Sequence, residues 1–475
     1  MLIDRYQELS FLNELLTRDQ PGPGQLILLY GRRRVGKTEL LKHWARQSGL
    51  HYSYWAAGKE PAALQRRSFL SSALKIPEDQ VMSFDSWPSL WRWLAPALAK
   101  KTERQILVMD QLSHAAAADP ELLSALQHAW DHHLKDSQIV LLLCGSQMAS
   151  MEALTQNESP LFGRFTGQWH LQPLSFSSLQ SFFPAWSVEE RIALYSIVGG
   201  MPAYLEWLDP DLNLVQNIAK VILKPGNLFS VEPVLQLHDE LRDPSTYQAI
   251  LRAISCGHHT VKAISKDCLL EPSNITFHLG KLQDLQLIER RLPVTLRTSQ
   301  QSKSKQGRYH VRDPYFRFYY RFLRPHLNSL MSIDETTSHI QNELRAFVSP
   351  AFTQLAQAWM LQAARADRLP LSPEAVGSHW SRRVQVDAVA IDHESRQILL
   401  GECKWGADEV SPQMIRELIE QKGPKLRSDL LNGAAWTFHY AVFAQAGFSP
   451  EAVTSLAARD ALGVDLRALD SGLSK

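Results

Sequence analysis

Residues 25–47 read QLILLY, then GRRRVGKT, then ELLKHWARQ. The mostly apolar opening predicts a buried strand, and the amphipathic run after Thr38 predicts a helix. Between them stands GxxxxGKT, whose glycines let backbone N–H groups curl round phosphate oxygens. In that setting Gly31, Arg32, Arg33, Arg34, Val35, Gly36, Lys37, Thr38 and Glu39 form the expected nucleotide-binding loop. Lys37 would reach the β/γ oxygens, the Thr38 hydroxyl would ligate Mg²⁺, and the helix N-terminus adds a dipole that favours an anion. The chemistry expected of the loop is binding of ATP with Mg²⁺.

Upstream, Asp4 to Leu16 has a helical pattern that the loop DQPGPG (19–24) breaks. Downstream, HYSYW (51–55), QILVMD (105–110) and IVLLLCGS (139–146) read as strands with helical stretches between them. Such alternation predicts an α/β fold with a mainly parallel sheet covered on both faces. Asp110 closes a buried strand, where it would hold Mg²⁺ through water. The next position usually carries a Glu that polarises the attacking water, and here it is Gln111. An amide orients water but does not accept its proton, so slow hydrolysis is expected. Ser146 or Gln147 would sense the γ-phosphate, and Arg164 in SPLFGRFTG would enter a neighbouring site as an arginine finger. A capping Ser and a solvated Arg are the plainer alternatives.

A chain of 475 residues is expected to form about three or four compact units. Fifty Lys and Arg against 49 Asp and Glu give a net charge of +1, so contact with nucleic acid needs a local patch. With 45% hydrophobic and 21% charged residues, the composition is that of a soluble globular protein. The N-terminus MLIDRYQELSFLNELL lacks the basic flank of a signal peptide, and no segment reaches the length of a membrane span. Cys144, Cys256, Cys268 and Cys403 form no CxxC pair, which points to a reducing cytoplasm and away from disulfides.

From 179 to 241 the pattern is helical, interrupted by VGGMP (198–202), and 245–312 reads as short helices and a two-stranded wing with the tip SQQSKSKQG. Within it, TVKAISKDCLLEPSNITFHLGKLQDLQLIERR suggests a helix-turn-helix whose second helix starts near an N-cap Ser273. Asn274, Thr276, His278 and Lys281 would face outward, and Ile275, Leu279, Leu282 and Leu285 inward. Arg290, Arg291, Lys303, Lys305 and Arg308 would grip phosphates from the wing, although such modules serve equally as protein contacts. Cys256, His258, His259 and Cys268 fit no common zinc spacing, and His128 and His132 read as ordinary surface or core residues.

At the C-terminal end, VQVDAVAI carries Asp387, and QILLGECKW carries Glu402 and Lys404. The intervening DHESRQ reads as a hairpin turn, which brings the two carboxylates together and sets Lys404 on the face of Glu402. Two close carboxylates suit Mg²⁺ or Mn²⁺, and Lys404 would position or activate a water attacking a phosphate. The alternative is an edge ion pair between Glu402 and Lys404 beside a solvated Asp387.

The opening helix with Arg5 and Glu8, GRRRVGKT, ILVMD, LLLCGS followed by Met151, PLFGRFTG, GGMPAYL (199–205), EPVLQLHDELRDPSTYQAIL, YHVRDPYFRFYYRF and GECKW follow one another in order. Together they resemble the archaeal-type AAA+/STAND-like P-loop ATPases that carry a winged helix and a C-terminal PD-(D/E)XK nuclease-like domain. The resemblance implies a P-loop NTPase core (1–178), a helical lid (179–241), a winged helix (242–312), a helical connector (313–345) and a restriction-endonuclease-like α/β domain (346–475). It implies an ATP-driven switch coupled to a metal-dependent nuclease-like domain that acts on or binds DNA, in a cytoplasmic protein able to form homo-oligomers. In that family a helix of the last domain can add a further Glu. AFTQLAQAW offers Thr353 and Gln354 instead, and Gln385 stands where an acid is common. An ATP-bound regulatory scaffold with weak hydrolysis and a non-cleaving nuclease fold is the second expectation.

Overall fold

A computed structural model of the chain describes residues 2–18, 23–241, 243–302, 304–327 and 329–474. Residues 19–22 of the DQPGPG loop and Lys303 of the expected wing lie outside the described residues. The chain divides into two compact units, residues 1–174 with Met201–Ala203, and residues 175–200 with 204–475.

In the first unit, β1 (Gln25–Tyr30), β2 (His51–Ala56), β3 (Gln105–Asp110), β4 (Ile139–Gly145) and β5 (Gly167–His170) form a sheet in the order β2-β3-β4-β1-β5. Every pairing is parallel. β1, β3 and β4 are buried along their whole length, which is why they read as unbroken apolar runs. β5 escapes the sequence reading because GQWH is short and only half-buried at the sheet edge. Since β4 lies between β1 and β3, the acid-bearing strand is one place removed from the strand of the phosphate loop. Parallel strands end on the same side, so Gly31, Asp110 and Ser146 share one rim of the sheet. The helix α1 (Tyr6–Thr17) precedes the sheet, and α2 (Lys37–Gln47) follows the loop directly.

In the second unit, α3 (Ser245–Ser255), α4 (Val261–Cys268) and α5 (Pro272–Asp284) lead into the antiparallel pair β6 (Ile288–Arg291) and β7 (Arg308–Val311). The expected cap at Ser273 is corrected: α5 starts at Pro272, Glu271 precedes it, and no side chain caps it. Proline at the first helical position supplies the turn instead, because its fixed φ suits the helix and its missing N–H has no partner there anyway. Ile275, Leu279 and Leu282 are buried, whereas Leu285 lies past the helix end and is half-buried. Asn274, Thr276 and Lys281 are exposed. His278 is half-buried, its ring 4.8 Å from that of Tyr247.

A capping box between Ser332 and Glu335 opens α6 (Ile333–Arg365), a 33-residue helix that runs through the boundary expected at 345/346. The sheet that follows has the order β12-β11-β10-β9-β8. It consists of β8 (Ala375–Trp380), β9 (Gln385–Asp392), β10 (Gln397–Lys404), β11 (Thr437–Ala444) and β12 (Leu462–Asp465). β8, β9 and β10 pair antiparallel, and β10, β11 and β12 parallel. Val386, Val389, Ile391, Ile398, Leu400 and Val442 form part of its buried core. No helix among the described residues is long and apolar enough to cross a membrane.

Candidate functional sites: the phosphate loop and the carboxylate pair

The turn from β1 into α2 depends on two glycines. Gly36 adopts φ +97°, a left-handed conformation that a side chain disfavours. A Cβ on Gly31 would lie 2.5 Å from the carbonyl oxygen of Leu171, so only glycine allows the loop to pack there. Just before α1, the buried Arg5 donates to Glu8 Oε1, to the Val35 carbonyl inside the loop and to the Gln172 carbonyl, each at 2.9 Å. Pro202 of the GGMP segment lies 3.9 Å from where a Gly36 Cβ would sit, which explains why Met201–Ala203 belong to this unit.

Lys37 is 6% exposed, and its Nζ donates to the carbonyls of Gly31 at 2.8 Å and Arg32 at 2.9 Å. Burial pushes its ammonium below the ordinary lysine range. Asp110, 3% exposed, accepts from Thr38 Oγ1 at 3.2 Å, from the backbone N–H of Gln111 at 2.8 Å and from the Tyr54 hydroxyl. Ser146 Oγ donates to Gln111 Oε1 at 3.1 Å. Gln111 sits at φ +55°, a backbone position that turns its side chain off the end of β3. Thus Lys37, Thr38, Asp110, Gln111 and Ser146 converge on one rim, while Gln147 precedes the short helix Met148–Ala153. Among the loop residues, Arg32 and Arg34 are half-buried, and Arg33 and Glu39 are exposed.

Arg164 differs from expectation. Its guanidinium grips Asp131 with three hydrogen bonds of 2.8–3.1 Å and also donates to the carbonyls of Pro160 and Phe162. Within its own unit it buttresses Asp131, and that bond raises its pKa further. Tyr54 is the residue that sequence reasoning missed. Burial, reinforced by the Asp110 charge, pushes its phenol well above the usual 10, so it stays a donor to Asp110. Its place on HYSYW, two residues from the end of the strand paired to β3, was the available signal.

In the second unit, the register pairs Gly401 with Ala388, which brings Glu402 opposite Asp387. The expected hairpin is present, and the two carboxyls lie close enough to interact directly. Asp387 Oδ2 accepts the backbone N–H of Cys403 at 3.2 Å. Glu402 Oε1 accepts from Lys422 Nζ at 2.7 Å, and its Oε2 is buried with no hydrogen-bond partner. Burial first, and then the Asp387 charge, raise the Glu402 carboxyl to about 7; burial raises Asp387 too.

Lys404 is the second departure. It shares a strand with Glu402, but its Nζ donates to the Glu409 carbonyl at 2.8 Å. The cation on the carboxylates is Lys422, from the helical stretch Glu417–Lys422, which local strand spacing gave no means of finding. Thr353 bonds Cys403 and lines the same cavity as Asp387. With its amide oxygen turned inward, Gln354 accepts from Arg291 at 2.8 and 3.1 Å. Gln385 accepts from Arg308 at 3.2 Å. No group of three or more His, Cys, Asp or Glu among the described residues is placed to hold a metal ion. Two carboxylates with an orphaned, buried oxygen still suit a hard cation that keeps several waters.

Comparison with known proteins matches the first unit together with the start of the second, and separately a later stretch of the second. Residues 2–208 match the model of an ATPase domain predominantly from Archaea, and residues 319–416 match that of archaeal and bacterial proteins of unknown function. A Methanocaldococcus jannaschii protein described as uncharacterized is 29% identical over 407 residues, 85% of this chain and 88% of that protein. Among solved structures, a Walker-type ATPase of Pyrococcus abyssi is similar at 18% identity and TM-score 0.46, covering 67% of this chain and 96% of that one. The ORC2 protein of Aeropyrum pernix is similar at 14% identity and TM-score 0.45, covering 73% of this chain and 95% of that one. Residues 2–208 therefore carry an archaeal-type P-loop ATPase domain, and residues 319–416 a domain shared with archaeal and bacterial proteins of unknown function.

Proposed function

We propose that this chain is an ATP-driven switch whose P-loop core is coupled to a metal-dependent, nuclease-like C-terminal domain acting on DNA. The observation that carries the ATP half is the convergence of Lys37, Thr38, Asp110, Gln111 and Ser146 on one sheet rim. For the nuclease-like half it is the Asp387–Glu402 pair with its orphaned Oε2.

In the nucleotide site, the backbone N–H groups of the loop would receive the phosphates. Lys37 would leave the Gly31 and Arg32 carbonyls for the β/γ oxygens. Thr38 and Asp110 would hold Mg²⁺, with Tyr54 fixing the Asp110 carboxylate. Gln111, steadied by Ser146, would orient water without taking its proton. At the C-terminal site, Asp387 and Glu402 would hold Mg²⁺ or Mn²⁺, which supplies charge stabilisation to a phosphodiester under attack. Lys422 would favour the carboxylate form of Glu402 and offset charge on the reacting phosphate, a role first assigned to Lys404. We read α3 to β7 as a winged helix that offers Asn274, Thr276 and Lys281 to DNA, and the protein as cytoplasmic and able to form homo-oligomers.

A second reading, an ATP-bound scaffold that holds DNA without cutting it, is favoured by Gln111 in place of an acid and by the outward course of Lys404. The deciding experiment is cleavage of single- and double-stranded DNA by the full chain with Mn²⁺, with and without ATP. ATP-sensitive cutting that disappears in Asp387→Ala supports the switch. Binding without cutting supports the scaffold, and cutting that persists in Asp387→Ala overturns the site.

A further inference from the structure

Beside the carboxylate pair, the second unit holds a half-open cavity of about 380 Å³ whose lining takes in Arg291 and Arg308 of the wing. Arg291, Arg308, Arg317, Arg321, His259 and His310 line it together with Asp387. Four guanidinium groups around one cavity require anions, because like charges raise one another's energy where water is scarce. Two of the four have them: Arg291 pairs with Glu289 at 2.5 Å and Arg321 with Glu343 at 2.7 Å.

The other two are held by groups that carry no charge. Arg308 lies 4.7 Å over the Trp380 ring and donates to the Gln385 amide oxygen. Arg317 lies 4.2 Å over the Phe347 ring and donates to the carbonyls of Ser196 and Phe347. Its Nε is buried without a partner. Neither is within salt-bridge distance of any carboxylate among the described residues, and ring faces and carbonyls fix their positions without neutralising them. The cost is visible in the neighbours. Burial, and after it the charges of Arg291 and Arg321, push Arg317 down to about 10, and burial followed by the surrounding arginines and His259 pushes His310 down to about 2. His310 is thus neutral, and His259, which burial also pushes down, stacks on it at 4.2 Å.

Two cations without a carboxylate partner in one half-open cavity select for an anion of charge near −2 with several oxygens. A phosphate monoester carries roughly −1.5 to −2 at neutral pH and three acceptor oxygens, whereas an internal phosphodiester carries a single charge. Guanidinium forks match phosphate oxygens geometrically, and the volume falls in the range of about 300–1,000 Å³ usual for small-molecule sites. We propose that this cavity binds a phosphate monoester dianion, carried on the end of a nucleic-acid strand or on a free mononucleotide, with Arg308 and Arg317 supplying the unpaired charges. The site needs neither a metal at Asp387 nor cleavage, so it goes beyond the proposed function and does not rest on it.

The test uses the full chain in EDTA, which removes any contribution from a cation at Asp387 and Glu402. Fluorescence anisotropy compares a DNA strand bearing a terminal phosphate with the same strand ending in hydroxyls, and calorimetry measures dAMP and inorganic phosphate. The expected result is that a monoester binds the wild type about tenfold or more tightly than it binds Arg308→Ala, the loss of one charge-assisted hydrogen-bond pair. Arg308 is partly exposed, so that variant retains its fold by circular dichroism; Arg317→Gln provides an independent second arm. A phosphate-dependent preference for the strand assigns the ligand to a strand end. Binding of dAMP with no preference between strands assigns it to a free nucleotide. If no monoester distinguishes the wild type from a folded Arg308→Ala, the proposal is overturned, whatever the outcome of the cleavage assay.

Discussion

The nucleotide loop and the C-terminal carboxylate pair both bring charged groups out of water, and they meet the cost of doing so in opposite ways. In the loop, Lys37 rests on two carbonyls, and Asp110 takes hydrogen bonds from Thr38, Tyr54 and the Gln111 amide. Every key group has a partner before any nucleotide arrives. In the carboxylate pair, Asp387 has one backbone donor, Glu402 has Lys422, and Glu402 Oε2 has nothing. A buried oxygen without a partner carries a desolvation penalty of roughly 1–3 kcal/mol, and a bound cation would relieve it. The first site is organised in advance; the second is organised at a cost that a bound cation would remove.

That contrast is most easily broken at Lys37. Hydrogen bonds to charged groups contribute roughly 1.5–3 kcal/mol, so Lys37→Ala should weaken ATP binding roughly 10- to 150-fold. Equilibrium titration with a fluorescent ATP analogue measures it. Unchanged affinity would mean that the lysine serves only the loop carbonyls it now touches. Gln111→Glu sharpens the same site. A positioned base contributes roughly 10²–10⁴-fold, so restoring a carboxylate held by Ser146 should raise the steady-state rate of phosphate release about tenfold or more. An unaltered rate would show that Gln111 does not reach the attacking water.

At the second site, the two lysines give opposite expectations. Lys422 bonds the carboxylate and Lys404 bonds a carbonyl on the far side of the turn. Lys422→Ala should lower Mn²⁺-dependent cutting about tenfold more than Lys404→Ala does, the difference expected from losing one charge-assisted contact. The reverse order would restore Lys404 to the role that the ECK spacing suggested.

The parts of the molecule that could be read in advance are those in which a local rule sets the geometry. The unbroken apolar runs of β1, β3 and β4 announce a sheet buried on both faces, and the DHESRQ turn fixes the register that faces Asp387 with Glu402. What escaped notice depends on tertiary approach. GQWH is too short and too polar to signal β5, Tyr54 gains its meaning only when β2 lies beside β3, and Lys422 reaches Glu402 from 20 residues away. The Asp131 partner of Arg164 escaped notice for the same reason, since nothing in SPLFGRFTG reveals it. The long helix α6 passes through an expected boundary because its capping box lies at Ser332, well before the C-terminal sheet begins.

The smallest effect follows from the raised carboxyl of Glu402. Its pKa in the folded chain is about 7 against 4.5 unperturbed, so the folded state holds the proton more tightly than the unfolded state does. The sign is therefore opposite to that of a salt-bridged acid: this group's contribution to stability is complete below pH 4.5 and is lost as the pH rises toward 7. A cation must displace the same proton. Affinity for Mn²⁺ should rise about fivefold from pH 6 to 7 and less than about twofold from pH 7 to 8, as the carboxylate fraction climbs and saturates. Calorimetric titration of Mn²⁺ at those three pH values measures it, with the phosphate loop occupied by nucleotide. In Glu402→Gln the dependence should flatten, because the proton that competes with the metal is gone. A dependence that survives in Glu402→Gln would transfer the titration to Asp387 and leave Glu402 held by Lys422 as a structural pair. The contrast between a self-satisfied loop and an unsatisfied carboxylate pair would then fail at the second site.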